Sequence, residues 1–284
     1  MLLSRFDNRQ AILATMHRKE QVIAPLFEQA LGLTVRVIPH LDTDTFGTFT
    51  REVPRPGTQI EAARLKAQRA LELTGTSLAI ASEGTFFPDP MLPWGGCDRE
   101  IVILLDREQD FEIVAEVTSR NTNYAQQTVA TVEAALAFAE RVGFPEHGLV
   151  VMEQAKQSPK QALFKGITAK AELIEAVQTL LNQQGTAHLE TDMRALYNPT
   201  RMQVIAQATQ RLIQKLQQPC PRCGYPGFDV VKHLPGLPCS WCRRPTSLIQ
   251  QEVHQCMQCD YSETKMPPHG LTDADPAHCP NCNP

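Results

Sequence analysis

Residues 56–84 read PGTQIEAARLKAQRALELTGTSLAIASEG, and the kind of domain the chain builds is decided in this stretch. Thr58 followed three residues later by Glu61 is a capping box, which fixes a helix start by satisfying two backbone N–H groups. Ile60, Ala63, Ala67 and Leu71 then recur at helical spacing and form one apolar stripe, so the spacing predicts a helix over roughly 59–73. Ser77 to Ala81 follows as a buried strand. It runs into Ser82-Glu83-Gly84, an acid at a strand end beside a glycine that gives the backbone room. A one-faced helix leading into an apolar strand is the repeating unit of a sheet covered by helices.

Outward from this stretch the alternation continues. Ala11 to Thr15 reads as a strand, Glu20 to Leu31 as a helix closed by Gly32, and Leu33 to Ile38 as a second strand. Ile101 to Leu105 and Phe111 to Val117 flank the polar turn DREQD, an antiparallel hairpin signal. Thr128 to Val142 reads as a helix with Val129, Val132, Leu136, Ala139 and Val142 on one face, and Gly148 to Met152 as a further strand. A last helix over 199–218 carries Met202, Ile205, Ala206, Leu212 and Leu216 and is broken by PCPRCGYPG. The expectation is an α/β domain over residues 1–217, a mixed sheet flanked by helices.

Residues 218–284 are of another kind. Eight of the nine cysteines lie here as four CxxC pairs: Cys220/Cys223, Cys239/Cys242, Cys256/Cys259 and Cys279/Cys282. Eight thiolates supply two tetrahedral four-cysteine sites, and the last pair, in CPNCNP, ties down a segment that would otherwise fray. Two structural Zn2+ ions in a double zinc ribbon are expected; a rubredoxin-like iron site uses the same ligands. Joining the pairs in sequence order gives two consecutive ribbons, while a nested arrangement joins Cys239/Cys242 to Cys256/Cys259 and the outer pairs to each other. With all eight thiolates accounted for, His233, His254, His269 and His278 are read as surface or supporting residues, and the lone Cys97 as a partly buried thiol. Four complete pairs leave no open coordination position, so no chemistry is assigned to these metals.

Composition narrows the classes further. The 284 residues carry 27 Lys and Arg against 31 Asp and Glu, a formal charge of −4, which gives no overall attraction to nucleic acid or an anionic membrane. Beyond residue 219, Arg222, Lys232, Arg243, Arg244 and Lys265 face six acids, and each four-thiolate zinc site adds a formal charge of about −2. Nucleic-acid affinity comes largely from phosphate neutralisation, so a protein partner fits this module better. MLLSRFDNRQ has no signal-peptide core, and the longest aliphatic run, Ile101 to Leu105, is too short for a bilayer; a soluble cytoplasmic protein is expected.

Polar clusters at strand ends mark where chemistry could sit. Thr15-Met16-His17-Arg18-Lys19-Glu20 sets basic side chains beside a helix N-terminus, a suitable place for an anion. HLDTDTFGTFTRE (40–52) offers Asp42 and Asp44 for a hard cation or is an ordinary loop. Lys66 lies off the apolar stripe of its helix, and Asp192, Arg194, Asn198 and Arg201 gather in ETDMRALYNPTRM (190–202).

Taken in order, these segments resemble the inosine triphosphate pyrophosphatase-like superfamily, which hydrolyses noncanonical nucleoside triphosphates to monophosphate and pyrophosphate with magnesium. ILATMHRKEQVIAPLFEQALGLTV looks like its opening strand, polar turn and first helix; TQIEAARLKAQRALELTG resembles its TFEENARIKA helix; LAIASEG stands where it has LADDSG. The two-part layout also resembles an uncharacterised bacterial family. The resemblance implies Glu61 and Glu83 as catalytic carboxylates, with Arg18, Lys19, Lys66, Arg194 and Arg201 binding a nucleotide substrate and Mg2+ as cofactor. The sequence departs at Ala62, where the family has asparagine, and at Ala81-Ser82-Glu83, where it has Asp-Asp-Ser. The alternative expectation is a noncatalytic nucleotide- or anion-binding scaffold whose zinc ribbons engage a protein partner.

Overall fold

The computed structural model describes residues 5–38, 41, 45, 56–92, 95–153, 162–267 and 270–283. Asp42, Asp44 and His269 lie outside them. The chain forms two compact units that divide between Ile213 and Gln214.

The first unit opens with β1 (Gln10–Ala14), α1 (Glu20–Leu31), β2 (Thr34–Val37), α2 (Gln59–Thr74), β3 (Leu78–Pro88), β4 (Gly96–Asp106) and β5 (Phe111–Ser119). Their strands form a five-stranded sheet in the order β2-β1-β3-β4-β5. β1 pairs in parallel with β2 and β3, whereas β3, β4 and β5 pair antiparallel, so this sheet is mixed, as expected. Helical crossovers enforce the parallel part and the Asp106–Phe111 turn the antiparallel part. Gly32 ends α1 in a left-handed conformation, φ 66°, and its N–H reaches Glu28 O. The capping box at α2 is present, with the Thr58 hydroxyl accepting from Glu61 N–H and the Glu61 carboxylate accepting from Thr58 N–H at 2.7 Å. Ala63, Ala67, Ala70 and Leu71 of α2 pack on Ala79, Ala81, Ile101 and Ile103. Small side chains on both surfaces let helix and sheet approach closely.

β3 and β4 are about twice as long as their apolar runs indicate. β3 continues through Ser82, Glu83 and Gly84 to Pro88, and β4 begins at Gly96, so the polar stretches lie inside the sheet.

The first unit also holds a second sheet, of which the sequence reading had only the strand Gly148 to Met152. β6 (Gln126–Val129), β7 (Leu149–Met152), β8 (Ala162–Ile167) and β9 (Ala187–Thr191) pair antiparallel in the order β6-β9-β7-β8. Helices α3 (Val132–Arg141) and α4 (Lys170–Gln184) bury Ala135, Phe138, Leu173, Val177 and Leu180 against Leu149, Val151 and Leu189. The helix expected over 128–142 therefore starts late. Thr131 caps α3 by accepting from Ala134 N–H, while Thr128 and Val129 extend and pair with His188 and Ala187. α5 (Pro199–Leu216) follows, and no helix among the described residues is long and apolar enough to cross a membrane.

The second unit is a three-stranded antiparallel sheet of β10 (Asp229–Pro235), β11 (Ile249–Gln255) and β12 (Ser262–Lys265), in that order.

Candidate functional site

Four residues from distant parts of the sequence meet at one end of the five-stranded sheet. Lys19 stands at the start of α1, just past the end of β1, and its Nζ donates to Ser82 Oγ at 2.9 Å. Lys66, projecting from α2, forms an ion pair with Glu83 of β3. The Gln59 side-chain amide clamps the strands there, donating to Glu83 O and to Arg99 O, each at 2.8 Å. Arg201, in the first turn of α5, gives its Nε to Glu100 Oε1 at 2.6 Å, its Nη1 to Met193 O, and its guanidinium face to Phe86 at 5.4 Å.

Register divides this group between the two faces of the sheet. Glu83 pairs with Ile101 and shares the face covered by α2; Ser82, Gly84 and Phe86 pair with Val102, Glu100 and Asp98 on the other. Gly84 is essential to that second face, because a Cβ there would overlap Glu100 Oε1 and Arg201 Nη2. Gly84→Ala is expected to destabilise the protein by about 1–3 kcal/mol through overpacking, read as a lower urea midpoint. A change below experimental error would mean that the Glu100–Arg201 pair shifts at no cost.

Lys19, Lys66, Glu83, Asp98, Glu100 and Arg201 are all buried, Asp98 and Glu100 completely. Buried charges are costly unless paired, and the Lys66–Glu83 and Arg201–Glu100 pairs provide that compensation. Lys19 and Asp98 have poorer company. Burial, with the Arg201 guanidinium close by, pushes the Lys19 ammonium down to about 7. Burial and the neighbouring Glu100 carboxylate push Asp98 up to about 8. Displaced pKa values of this kind concentrate at functional sites.

The remaining sequence candidates fall elsewhere. Glu61 is exposed, and its carboxylate serves the α2 cap, so the structural reading of that residue accounts for it. Arg18 is exposed at a left-handed turn position, φ 58°. Arg194 is held by Asp192 at 2.6 Å and lies over the Tyr197 ring. Asp98 and Glu100 were missed because their polar alternation precedes the apolar run that marks β4. The D-x-E spacing in CDREIVILL, read as an extension of the strand, was the signal available. Cys97 is buried, with its thiol pushed up by burial and Asp89.

In the second unit the cysteines gather as Cys220, Cys223, Cys256 and Cys259 in one group and Cys239, Cys242, Cys279 and Cys282 in the other, the ligand atoms of each within 4.8 Å of one another. Both the sequential and the nested pairings are thereby corrected: the pairs alternate. The reason is the meander. β10 leads from the first knuckle to the second, β11 returns to the third, and β12 leaves toward the fourth, so each strand joins one centre to the other. Sulfur separations are 3.7 Å for Cys220–Cys259, 3.6 Å for Cys223–Cys256, 3.9 Å for Cys239–Cys282 and 3.6 Å for Cys242–Cys279. A tetrahedral ion with Zn–S bonds of about 2.3 Å sets its ligands about 3.8 Å apart, so both groups fit Zn2+.

Local geometry repeats from knuckle to knuckle. The residue after the second cysteine is left-handed in three of them, Gly224, Arg243 and Asp260, which turns the chain back so that its N–H meets the first cysteine's carbonyl at 2.9–3.1 Å. The first cysteine of every pair is buried. Phe228 stacks on Tyr261 and lies tilted against His254 beside the first centre.

Fold and site together define a mixed α/β domain with a buried ionic cluster, followed by a module with two interlocked four-cysteine centres. The chain belongs to a family described as a domain of unknown function (DUF6671), which matches residues 66–284. No match is found among curated proteins. Among solved structures, the crystal structure of protein VC0702 from Vibrio cholerae is similar over 74% of this chain and 96% of that chain, at 11% identity and a TM-score of 0.32.

Proposed function

We propose that the protein is a zinc-binding, magnesium-dependent hydrolase of nucleoside triphosphates, with noncanonical ones as the leading class, releasing pyrophosphate. One observation carries this reading: Lys19, Lys66, Glu83 and Arg201, drawn from segments up to 182 positions apart (201 − 19), are buried together at one end of the sheet. The resemblance of the segments around three of them to the pyrophosphatase-like superfamily supports it.

In this reading Lys19, Lys66 and Arg201 neutralise the phosphates. A phosphate arriving at Lys66 displaces the Glu83 carboxylate, which then orients water and accepts its proton. Water oxygen bonds to the α-phosphorus, the bond to the α–β bridging oxygen breaks, and its electron pair leaves with pyrophosphate. Magnesium, when bound, offsets charge on the scissile phosphoryl group. Glu61, held by the helix cap, has no part in it. The zinc centres support their own small fold, since few apolar residues are available to do so.

The test is incubation of the zinc-loaded protein with magnesium and a panel of canonical and deaminated nucleoside triphosphates, following pyrophosphate and phosphate separately. Pyrophosphate release from one or a few substrates is expected, with a loss of roughly 100-fold or more in Glu83→Gln. Silence across the panel would overturn the hydrolase and favour the second reading, a noncatalytic nucleotide- or anion-binding scaffold. That reading has its own observation. Trp241 and Met257, each inside a cysteine knuckle, are 77% and 75% exposed, an apolar presentation that suits a protein partner of the zinc module.

A further inference from the structure

Asp98 and Glu100 have no role in the reading above. They stand two residues apart on β4 and therefore project to one face, opposite Phe86 and Gly84 of β3. Glu100 Oε1 takes the Arg201 guanidinium, but Glu100 Oε2 and both carboxylate oxygens of Asp98 meet no hydrogen-bond donor among the described residues. Both side chains are fully buried. Buried carboxylate oxygens rarely stay unsatisfied, and two neighbouring buried carboxylates repel each other when both are ionised. A cation seated between them removes both costs at once.

We propose that Asp98 and Glu100 form a binding site for a single divalent cation of the magnesium type, on the sheet face opposite α2 and beside Lys19 and Arg201. The identification of the cation's second ligand as a triphosphate rests on the hydrolase reading. The donor set is all hard oxygen, with one or two carboxylates and the rest left to phosphate and water, the usual composition of a magnesium site and the opposite of the soft thiolate centres. Gly84 lets the Glu100 carboxylate and the Arg201 guanidinium lie directly against β3, since a Cβ there would overlap both. In the hydrolase reading Glu83 keeps the water-orienting role, with Lys66 as its resting partner.

The deciding experiment titrates the zinc-loaded, full-length protein with Mn2+, alone and with inorganic tripolyphosphate, reading unbound Mn2+ by electron paramagnetic resonance. Mn2+ binds thiolates more weakly than zinc does and leaves the cysteine centres loaded. One bound equivalent is expected, tighter with tripolyphosphate. Asp98→Asn should weaken it at least tenfold, given that even partners behind a ligand typically account for about 10–100-fold, while the exposed Glu72→Gln should not change it. Asp98→Asn keeps the side-chain volume and removes an unpartnered buried charge, so its thermal midpoint should equal or exceed that of the parent protein. Absence of a bound equivalent in the parent, or equal binding in a folded Asp98→Asn, would overturn the site and leave a proton shared between the two carboxylates as the account of their proximity. Failure of this inference is separable from failure of the hydrolase reading. Mn2+ bound through Asp98 without turnover of any triphosphate would sustain the cation site and remove the hydrolase. Magnesium-dependent turnover unaffected in Asp98→Asn would do the reverse.

Discussion

Cys256→Ser is expected to reduce the metal content of the protein from two equivalents to nearly none, although the substituted residue belongs to only one centre. Cys256 shares a group with Cys220, Cys223 and Cys259 and begins the knuckle where β11 ends. Loss of that ion releases one end of all three strands, and the same strands position Cys239, Cys242 and Cys279 at the other centre. Structural zinc contributes about 10–16 kcal/mol to small metal-dependent folds, far more than a three-stranded sheet with one aromatic cluster can replace. Metal analysis of the purified variant, with thiol labelling of the remaining seven cysteines and Cys97 taken as the buried internal reference, decides the matter. Retention of one full equivalent, with Cys239, Cys242, Cys279 and Cys282 protected, would show that the two centres fold independently.

Arg201→Ala is expected to cost about 3–5 kcal/mol at neutral pH, the usual penalty for leaving one member of a buried ion pair uncompensated. Glu100 is fully buried and Arg201 is 1% exposed, so water cannot take the place of the guanidinium. The same substitution removes the hydrogen bond to Met193 O and the packing over Phe86. The double variant Glu100→Gln/Arg201→Met should recover most of the loss, because it removes both charges together and retains volume. Urea midpoints of the parent protein and the two variants measure this. A cost below about 1 kcal/mol for the single substitution would place the pair in the class of exposed bridges, in conflict with its burial.

Much of the first sheet could be read from local signals. The Thr58–Glu61 box, the Gly32 terminus and the DREQD turn each fix a boundary through backbone hydrogen bonding within a few residues, and each boundary lies where those rules put it. Of the second sheet only β7 was read, as the strand Gly148 to Met152; β6, β8 and β9 have four to six residues and lack a continuous apolar run to mark them. α4 was not read either, although Leu173, Ala176, Val177 and Leu180 keep helical spacing up to Gly185. The ligand count of the metal centres was explicit in the CxxC pairs, whereas their partnership depends on which ends of an antiparallel meander lie together, a property of topology that spacing does not encode. Asp98 and Glu100 looked like a polar lead-in to a strand because the Arg201 that pairs with Glu100 comes from about a hundred residues away.

Interleaved ligands also set a schedule for synthesis. Cys242 and Cys279, neighbours in the second centre, are 37 residues apart. At roughly 5–20 residues per second of translation, the nascent chain carries a half-built, thiol-exposing knuckle for about 2–7 s before its partners emerge. During that interval Cys239 and Cys242 can capture a metal ion with only two protein ligands or form bonds with other thiols. Zinc supply and reducing conditions during synthesis are therefore expected to affect the yield of native protein, in addition to the stability of the finished module.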